Sequence, residues 1–158
     1  MVPRCCGTVD AGFAPSGDTS GMRLELTHRG DYAVRAMLAL SGPEGATWLS
    51  ATKISGAMSI PERFLPRVLR DLARAGLVEA RTGRTGGYRL TRPASAITLF
   101  DVIAAVEPED DDRRCILRGI PCGLDGRCAV HETFDEARSA MQDRLAATTL
   151  AELARPRP

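Results

Sequence analysis

The stretch from residue 49 to residue 93, LSATKISGAMSIPERFLPRVLRDLARAGLVEARTGRTGGYRLTRP, decides the fold of this chain. Its hydrophobic spacing predicts a short helix from about Ser50, a turn over residues 56–60, and a longer helix. Pro61 opens the longer helix and Gly76 closes it, as proline and glycine commonly do at helix ends. A short helix, a tight turn and a longer helix in this order predict a helix-turn-helix.

The longer helix is predicted to be amphipathic. Its apolar face is expected to contain Phe64, Leu65, Val68, Leu69 and Leu72. Its outer face is expected to carry Arg63, Arg67, Arg70 and Arg74. Pro66 removes one backbone donor inside this helix, so we expect either a kink or a tight first turn near it.

Apolar and polar residues alternate on both sides of a glycine-rich tip in the segment GLVEARTGRTGGYRLTRP. This pattern predicts a β-hairpin from about Leu77 to Thr91, directly after the longer helix. A basic hairpin in this place is typical of a wing. The predicted fold class is therefore mainly α, with a winged helix-turn-helix domain and a β-hairpin wing.

A recognition helix fits the major groove of B-DNA, and a basic hairpin can reach the minor groove or the backbone. Arg63 and Arg67 are candidates for contacts near the bases. Arg84 lies at the wing tip and is a candidate for a narrow minor groove, where the negative potential attracts a guanidinium. Candidates for phosphate contacts are Thr52, Lys53, Arg81 and Arg89. Any one of these residues also fits a solvated surface, but the order of helix, turn, helix and basic wing favours DNA binding.

Positive charge is concentrated in the same segment. The chain of 158 residues has a formal net charge of only +1, which excludes a wholly basic chromatin-type protein. Between residues 61 and 92, however, eight arginines stand against three acidic residues. This local excess supports a double-stranded DNA operator as the partner.

Further helices are predicted on both sides of this segment. HRGDYAVRAMLAL, residues 28–40, has helical spacing and ends before SGPEGA, and ITLFDVIAAVE predicts another short helix. A last, long helix from Cys128 carries an apolar stripe that no other segment obviously covers. The stripe consists of Val130, Phe134, Ala137, Met141 and Leu145. An uncovered stripe on a long helix predicts the seam of a homodimer.

The predicted organisation follows from these elements. Residues 1–21 are expected to be a disordered leader, and Met22 opens a stretch that reads more like a protein start. The other predicted units are a winged helix-turn-helix domain over 22–106, a cluster-binding loop over 107–127, a dimerisation helix over 128–150 and a tail over 151–158. No apolar run approaches the roughly 20 residues that span a bilayer, and the leader lacks the apolar region of a signal peptide. We therefore expect a cytoplasmic protein without a membrane partner.

The segment CILRGIPCGLDGRCAVHE, residues 115–132, places three cysteines and a histidine close together. Cysteines in a reducing compartment are more often metal ligands or redox thiols than disulfides. Cys115 and Cys122 lie among glycine and proline, whereas Cys128 and His131 are three positions apart at the start of a predicted helix. Thiolate sulfur suits soft metals, so the leading candidates are an iron–sulfur cluster and zinc.

The segments AGLV, GGYRL and ITLFDVI, in this order after MRLELTHRGDYAVRAMLAL, resemble the Rrf2 family of bacterial winged-helix transcription regulators. The resemblance extends from Met22 to about Leu150, and it implies a homodimer that binds partly palindromic operators. In the cysteine-bearing members, three cysteines in the loop before the dimerisation helix hold an iron–sulfur cluster. Cys115, Cys122 and Cys128 occupy that place here.

The resemblance offers two candidates for the fourth ligand. The C-x2-H arrangement that ends at His131 resembles the IscR-like members and implies a 2Fe–2S cluster. Asp31 stands where NsrR-like members supply a carboxylate from the partner subunit to a 4Fe–4S cluster. We favour His131, since Asp31 also fits a first-turn acid that complements the helix dipole. The chain departs from the family in its C-x6-C spacing and at Pro66, where relatives often carry a polar residue.

We therefore expect a DNA-binding regulator whose operator affinity is set by an iron–sulfur cluster that senses nitric oxide, redox state or iron–sulfur status. Two alternatives stay open for the cysteines: a structural zinc site of three Cys and one His, and a direct thiol switch without a cluster. An enzyme is not expected, because no nucleophile–base pair, phosphate loop or carboxylate pair stands out.

Overall fold

The computed structural model of the chain describes residues 26–42, 48–83, 85–107 and 129–154. Within these ranges the elements, in chain order, are α1 (His28–Ser41), α2 (Ala51–Met58), α3 (Leu65–Arg74), β1 (Val78–Arg81), β2 (Gly87–Leu90), a 3-10 turn (Ala94–Ala96), α4 (Leu99–Ala104), α5 (His131–Ala146) and α6 (Leu150–Leu153). No helix in these ranges is both long and apolar enough to cross a membrane.

The first helix agrees with the prediction over residues 28–40. Thr27 precedes α1, and its side-chain oxygen accepts a hydrogen bond from the Gly30 amide at 3.2 Å, which satisfies one of the free donors of the first turn. Met37 and Leu40 are buried on the inner face of α1. This helix therefore forms one wall of the core.

The helix-turn-helix is confirmed, but its second helix begins later than predicted. Ser50 caps α2 through the Lys53 amide, and α2 continues past Gly56 to Met58. The longer helix begins at Leu65 and not at Pro61, because residues 62–64 form a turn. Pro66 lies in the first turn of α3, where no helical hydrogen bond is lost. The predicted place of Pro66 in the interior of the helix is therefore wrong, because the helix begins only one residue before it.

The later start of α3 corrects one residue of its predicted apolar face. Leu65, Val68, Leu69 and Leu72 are buried, but Phe64 is 43% exposed. Phe64 lies at the N-cap, before the helical stripe begins, and its ring stacks on Tyr32 of α1 at 5.7 Å between centroids. The predicted outer face is confirmed for Arg67, Arg70 and Arg74, which are exposed on α3, whereas Arg63 is exposed but precedes the helix.

The predicted hairpin is present as the antiparallel pair β1 and β2, which we call the wing. The segment before α2 extends this sheet, because Leu49 exchanges backbone hydrogen bonds of 3.0 and 2.8 Å with Tyr88 of β2. Gly87 makes this close approach possible: a Cβ atom there would lie 2.4 Å from the Leu49 carbonyl oxygen. The wing is thus attached directly to the start of the helix-turn-helix.

The core is formed jointly by the helices, the wing and the C-terminal segment. Its buried apolar side chains are Ala33, Ala36, Met37, Leu40, Leu49, Ile54, Ile60, Leu65, Val68, Leu69, Leu72, Leu77, Val78, Ile97, Val102, Val106 and Leu150. The predicted helix after ITL is confirmed as α4, where Thr98 and Asp101 form a capping box.

The C-terminal helix is shorter than expected over 128–150. It ends at Ala146, and Thr149 caps a separate short helix, α6. The chain turns there because Leu150 is fully buried in the core and its amide bonds to the Ile97 carbonyl at 2.9 Å.

The apolar stripe of α5 is only partly covered by the rest of the described chain: Phe134 and Leu145 are half-buried, whereas Ala137 and Met141 are exposed. No residue of α5 is fully buried, and Met141 is 41% exposed. The leader over 1–21 and all of the predicted loop except Glu107 lie outside the described residues. The fold as a whole confirms a mainly helical winged helix-turn-helix with an additional C-terminal helix.

Candidate nucleic-acid interface and metal-ligand residues

The arginines predicted to approach DNA bases lie at the N-terminal end of α3. Arg67 is the third residue of the helix and is exposed. Arg63 precedes the helix, and its guanidinium lies over the Phe64 ring, 4.7 Å from the centroid, within the range of a cation–π contact. The exposed Phe64 that sequence patterning placed in the core therefore contacts a candidate DNA-binding arginine.

The residues predicted to contact phosphates lie in two places. Thr52 and Lys53 are exposed in the first turn of α2, where the helix N-terminus also favours an anion. Arg81 and Arg89 are exposed on the wing. Arg84, the candidate for the minor groove, lies outside the described residues.

Two partners of the wing arginines were not predicted. Glu79 accepts hydrogen bonds from Arg89, with 2.7 Å between Nε and Oε1. The ring of Trp48 lies 4.7 Å from the Arg89 guanidinium and 5.8 Å from that of Arg81. The contact of Glu79 with Arg89 could have been predicted from the hairpin register, which places the two residues opposite each other. Nothing in the sequence alone indicates that the segment before α2 joins the wing.

A buried ion pair fixes α3 against α1. Arg29 donates from Nη2 to Asp71 Oδ2 at 2.5 Å, and Asp71 is only 8% exposed. Burial of Asp71 raises its pKa, but the hydrogen bond and charge of Arg29 and the charges of Arg74 and Arg70 outweigh that effect. The pKa of this carboxyl therefore lies below its ordinary value of 3.8. The pair holds α3 to α1.

The last described residue before the predicted cluster-binding loop also contacts α1. Glu107 accepts a hydrogen bond of 2.5 Å from the side chain of Thr27, the residue that caps α1. The same carboxylate fills the space beside Gly30, where a Cβ atom would lie 2.5 Å from Oε1. The start of the loop segment is therefore joined to the first turn of α1.

The predicted cluster ligands are described only in part. Cys115, Cys122 and Cys128 lie outside the described residues. His131 is the first residue of α5 and is half-buried. Asp31 lies in the first turn of α1 and pairs with Arg35, with 2.8 Å between Nε and Oδ1. Among the residues described, no three His, Cys, Asp or Glu side chains are grouped so as to hold a metal.

The chain is similar to known proteins over most of its length. The sequence profile of Rrf2, described as an iron-dependent transcriptional regulator, matches residues 26–156. The protein aau3 of Rhizobium meliloti is 38% identical over 136 residues, which are 85% of this chain and 88% of that protein. The transcriptional regulator IscR of Vibrio campbellii is 35% identical over 130 residues, 82% of this chain and 77% of IscR.

A solved structure with the same fold comes from CymR, described as the global cysteine regulator of B. subtilis. It superposes with a TM-score of 0.68 at 28% identity, over 84% of this chain and 97% of CymR. The similar proteins are regulators of transcription and not enzymes, as the sequence led us to expect.

Proposed function

The chain belongs to the Rrf2 family of transcriptional regulators, and we propose that an iron–sulfur cluster sets its affinity for a DNA operator. Cys115, Cys122 and Cys128 are the proposed thiolate ligands, and His131 is the proposed fourth ligand. The signal is nitric oxide, redox state or iron–sulfur status, and the site of action is the cytoplasm. The observation that carries the DNA-binding part is the exposure of Arg63 and Arg67 at the N-terminal end of α3 and of Arg81 and Arg89 on the wing.

In this proposal α3 lies in the major groove, with Arg63 and Arg67 near the bases. The wing lies over the adjacent backbone and minor groove, with Arg81 and Arg89 at phosphates and Arg84 at its tip. The contacts of Arg63 with Phe64 and of the wing arginines with Trp48 support this docking, because they hold charged groups at the surface in defined places.

The DNA-binding part is tested with the variant Arg67→Ala and a duplex that the wild-type protein enriches from a random-sequence library. We expect a loss of about 1 to 3 kcal/mol in binding free energy if Arg67 reads a base, or a salt slope smaller by about 1 if it contacts a phosphate. Arg74→Ala is the matched control, since Arg74 is exposed at the far end of the same helix. Equal affinity and equal salt slope for wild type and Arg67→Ala would remove α3 from the interface.

The cluster part rests on the chemistry of the donor set. Three thiolates and one imidazole in a single segment suit iron–sulfur clusters and zinc, and the family description names iron dependence. His131 begins α5, where the positive end of the helix dipole favours thiolates placed nearby. When bound, the cluster supplies iron that reacts with nitric oxide or oxygen. The ion pair of Asp31 with Arg35 supports His131 over Asp31 as the remaining ligand.

The described contacts also support a link between the cluster-binding loop and the recognition helix. Glu107, where the loop begins, holds Thr27 at the start of α1. Two residues further along α1, Arg29 holds Asp71 of α3. A change in the loop that favours one position of α1 therefore biases α3, and a tenfold change in affinity needs only about 1.4 kcal/mol of such bias.

The proposed assembly is a homodimer that pairs through the apolar stripe of α5. Two recognition helices must reach half-sites about 34 Å apart, one turn of DNA. The exposed side chain of Met141 and the half-buried side chains of Phe134 and Leu145 on α5 support this seam.

The alternatives for the cysteines are a structural zinc site and a direct thiol switch. Zinc uses the same three Cys and one His without redox chemistry. A thiol switch needs no metal. It works by direct oxidation of the cysteines, since thiolates near a helix N-terminus are readily oxidised. Metal and sulfide analysis distinguishes all three.

A further inference from the structure

Trp48 is the single tryptophan of the chain, and it lies beside the wing and not in the core. Its neighbour Leu49 is buried, whereas Trp48 itself is half-buried. Because side chains alternate along an extended segment, Leu49 and Trp48 point to opposite faces of the sheet. The largest apolar side chain of the chain is therefore placed on the outer face of the wing.

The register of the sheet brings Trp48 to the arginines of that face. Leu49 pairs with Tyr88, so Trp48 stands opposite Arg89 in the antiparallel ladder. Within the described part of the chain, two guanidinium groups lie over the indole ring: that of Arg89, at 4.7 Å from the ring centroid, and that of Arg81, at 5.8 Å. Both distances lie within the roughly 6 Å range of cation–π attraction.

We propose that Trp48 is a positioning residue for DNA binding, whose ring holds the Arg81 and Arg89 guanidinium groups over the outer face of the wing before DNA is bound. This inference rests on the proposed function, in which those arginines contact phosphates. A cation–π contact does not use the N–H donors of a guanidinium, so those of Arg89 that do not bond to Glu79 can still reach phosphate oxygens. Because the side chains are already ordered, less conformational entropy is lost when DNA binds.

Two features fix the indole relative to the arginines. The paired hydrogen bonds between Leu49 and Tyr88 hold the backbone beside Trp48. Glu79 holds Arg89 from the other side through bonds of 2.7 Å to Oε1. Arg89 is thus placed between a carboxylate on β1 and an aromatic ring on the segment before α2.

The test compares Trp48→Leu with Trp48→Phe in binding to a mixed-sequence duplex of about 40 base pairs at several salt concentrations, since phosphate contacts do not depend on sequence. We expect Trp48→Leu to weaken binding about two- to fivefold, as the loss of an exposed cation–π contact predicts. Trp48→Phe retains an aromatic ring and should stay close to wild type. In a protein that also carries Arg81→Ala and Arg89→Ala, Trp48→Leu should cause no further loss.

An equal loss from Trp48→Leu in both backgrounds would overturn the positioning role, because the effect would then not pass through the arginines. If wild type itself shows no salt-dependent binding, the proposed function fails instead. If a thermal melt shows that Trp48→Leu is not folded at the temperature of the binding test, the fluorescence of Trp48 tests the positioning role instead, in proteins that retain this residue. Its emission should differ between wild type and the double arginine variant and should change when wild type binds the duplex. Identical emission in all these samples would contradict the proposal.

Discussion

Asp71 is a charged residue on the buried side of α3. Its carboxylate bonds to Arg29 and lies 3.9 Å from Arg74. Removing one charge of a buried ion pair usually lowers the free energy of unfolding by more than the pair contributes, because the remaining charge is left without a counter-charge. Arg29 is 37% exposed and can partly rehydrate, which moderates that cost.

We expect Asp71→Asn to lower the free energy of unfolding at pH 7 by about 1 to 3 kcal/mol, as measured by urea denaturation. The folded pKa of Asp71 is depressed below 3.8, so its contribution is present above that pH and is lost as the pH falls through the folded value. The difference in the free energy of unfolding between wild type and Asp71→Asn should therefore become smaller below about pH 4. Asp143→Asn, at an exposed position of α5, is the control, and a difference that stays constant down to pH 2 would contradict this account.

His131 and Asp31 differ in what surrounds them, and this difference yields a second prediction. Asp31 already has a cationic partner within its own helix, Arg35. His131 begins the helix that follows Cys128 in the chain. We expect His131→Ala to shift the visible absorption spectrum of the anaerobic protein or to shorten the lifetime of its chromophore. Asp31→Asn is expected to leave the spectrum unchanged, and the reverse result would assign the fourth ligand to Asp31.

At the scale of elements, α5 is the helix whose apolar side chains the described fold leaves most open. We expect Phe134→Glu to yield a monomer in sedimentation velocity, because a carboxylate within an apolar seam must be desolvated without a partner. Ser139→Glu is the matched control, since Ser139 is exposed about half a helical turn around from the stripe. A soluble dimer with Phe134→Glu would place the seam elsewhere.

Most elements could be predicted from the sequence because their signals are local. The apolar spacing of α1, the capping residues of α2 and the alternation of the wing all lie within a few residues of one another. The start of α3 was placed too early because Pro61 is as good an opening residue as Pro66 in sequence terms. The structure shows that residues 62–64 form a turn and that the helix begins after Phe64.

The parts that sequence reasoning missed depend on contacts between distant segments. The Arg29 and Asp71 pair joins residues 42 positions apart, and the Leu49 pairing that brings Trp48 to the wing spans a similar distance. Leu150 completes the core from far along the chain, although its segment reads as the end of a helix. Periodicity reports the face of a helix or strand, but it does not report which other segment covers that face.

At the scale of the whole molecule, α1 contacts both α3, through Arg29 and Asp71, and the start of the proposed sensing segment, where Glu107 bonds to its capping residue Thr27. The family and the fold establish a transcriptional regulator, and the exposed arginines on α3 and the wing suit a DNA operator. In the proposed function, the sensing chemistry depends on three cysteines and His131. The central claim is therefore that these thiolates hold iron and sulfide, and not zinc or free thiols.

The most direct test measures iron, acid-labile sulfide and zinc in protein purified without oxygen. The wild type is compared with a variant carrying Cys115→Ala, Cys122→Ala and Cys128→Ala. We predict a coloured wild type with iron and sulfide in equal amounts, and a colourless variant that lacks both. A colourless wild type with stoichiometric zinc, a metal-free wild type, or a variant that retains wild-type colour and iron would contradict the account.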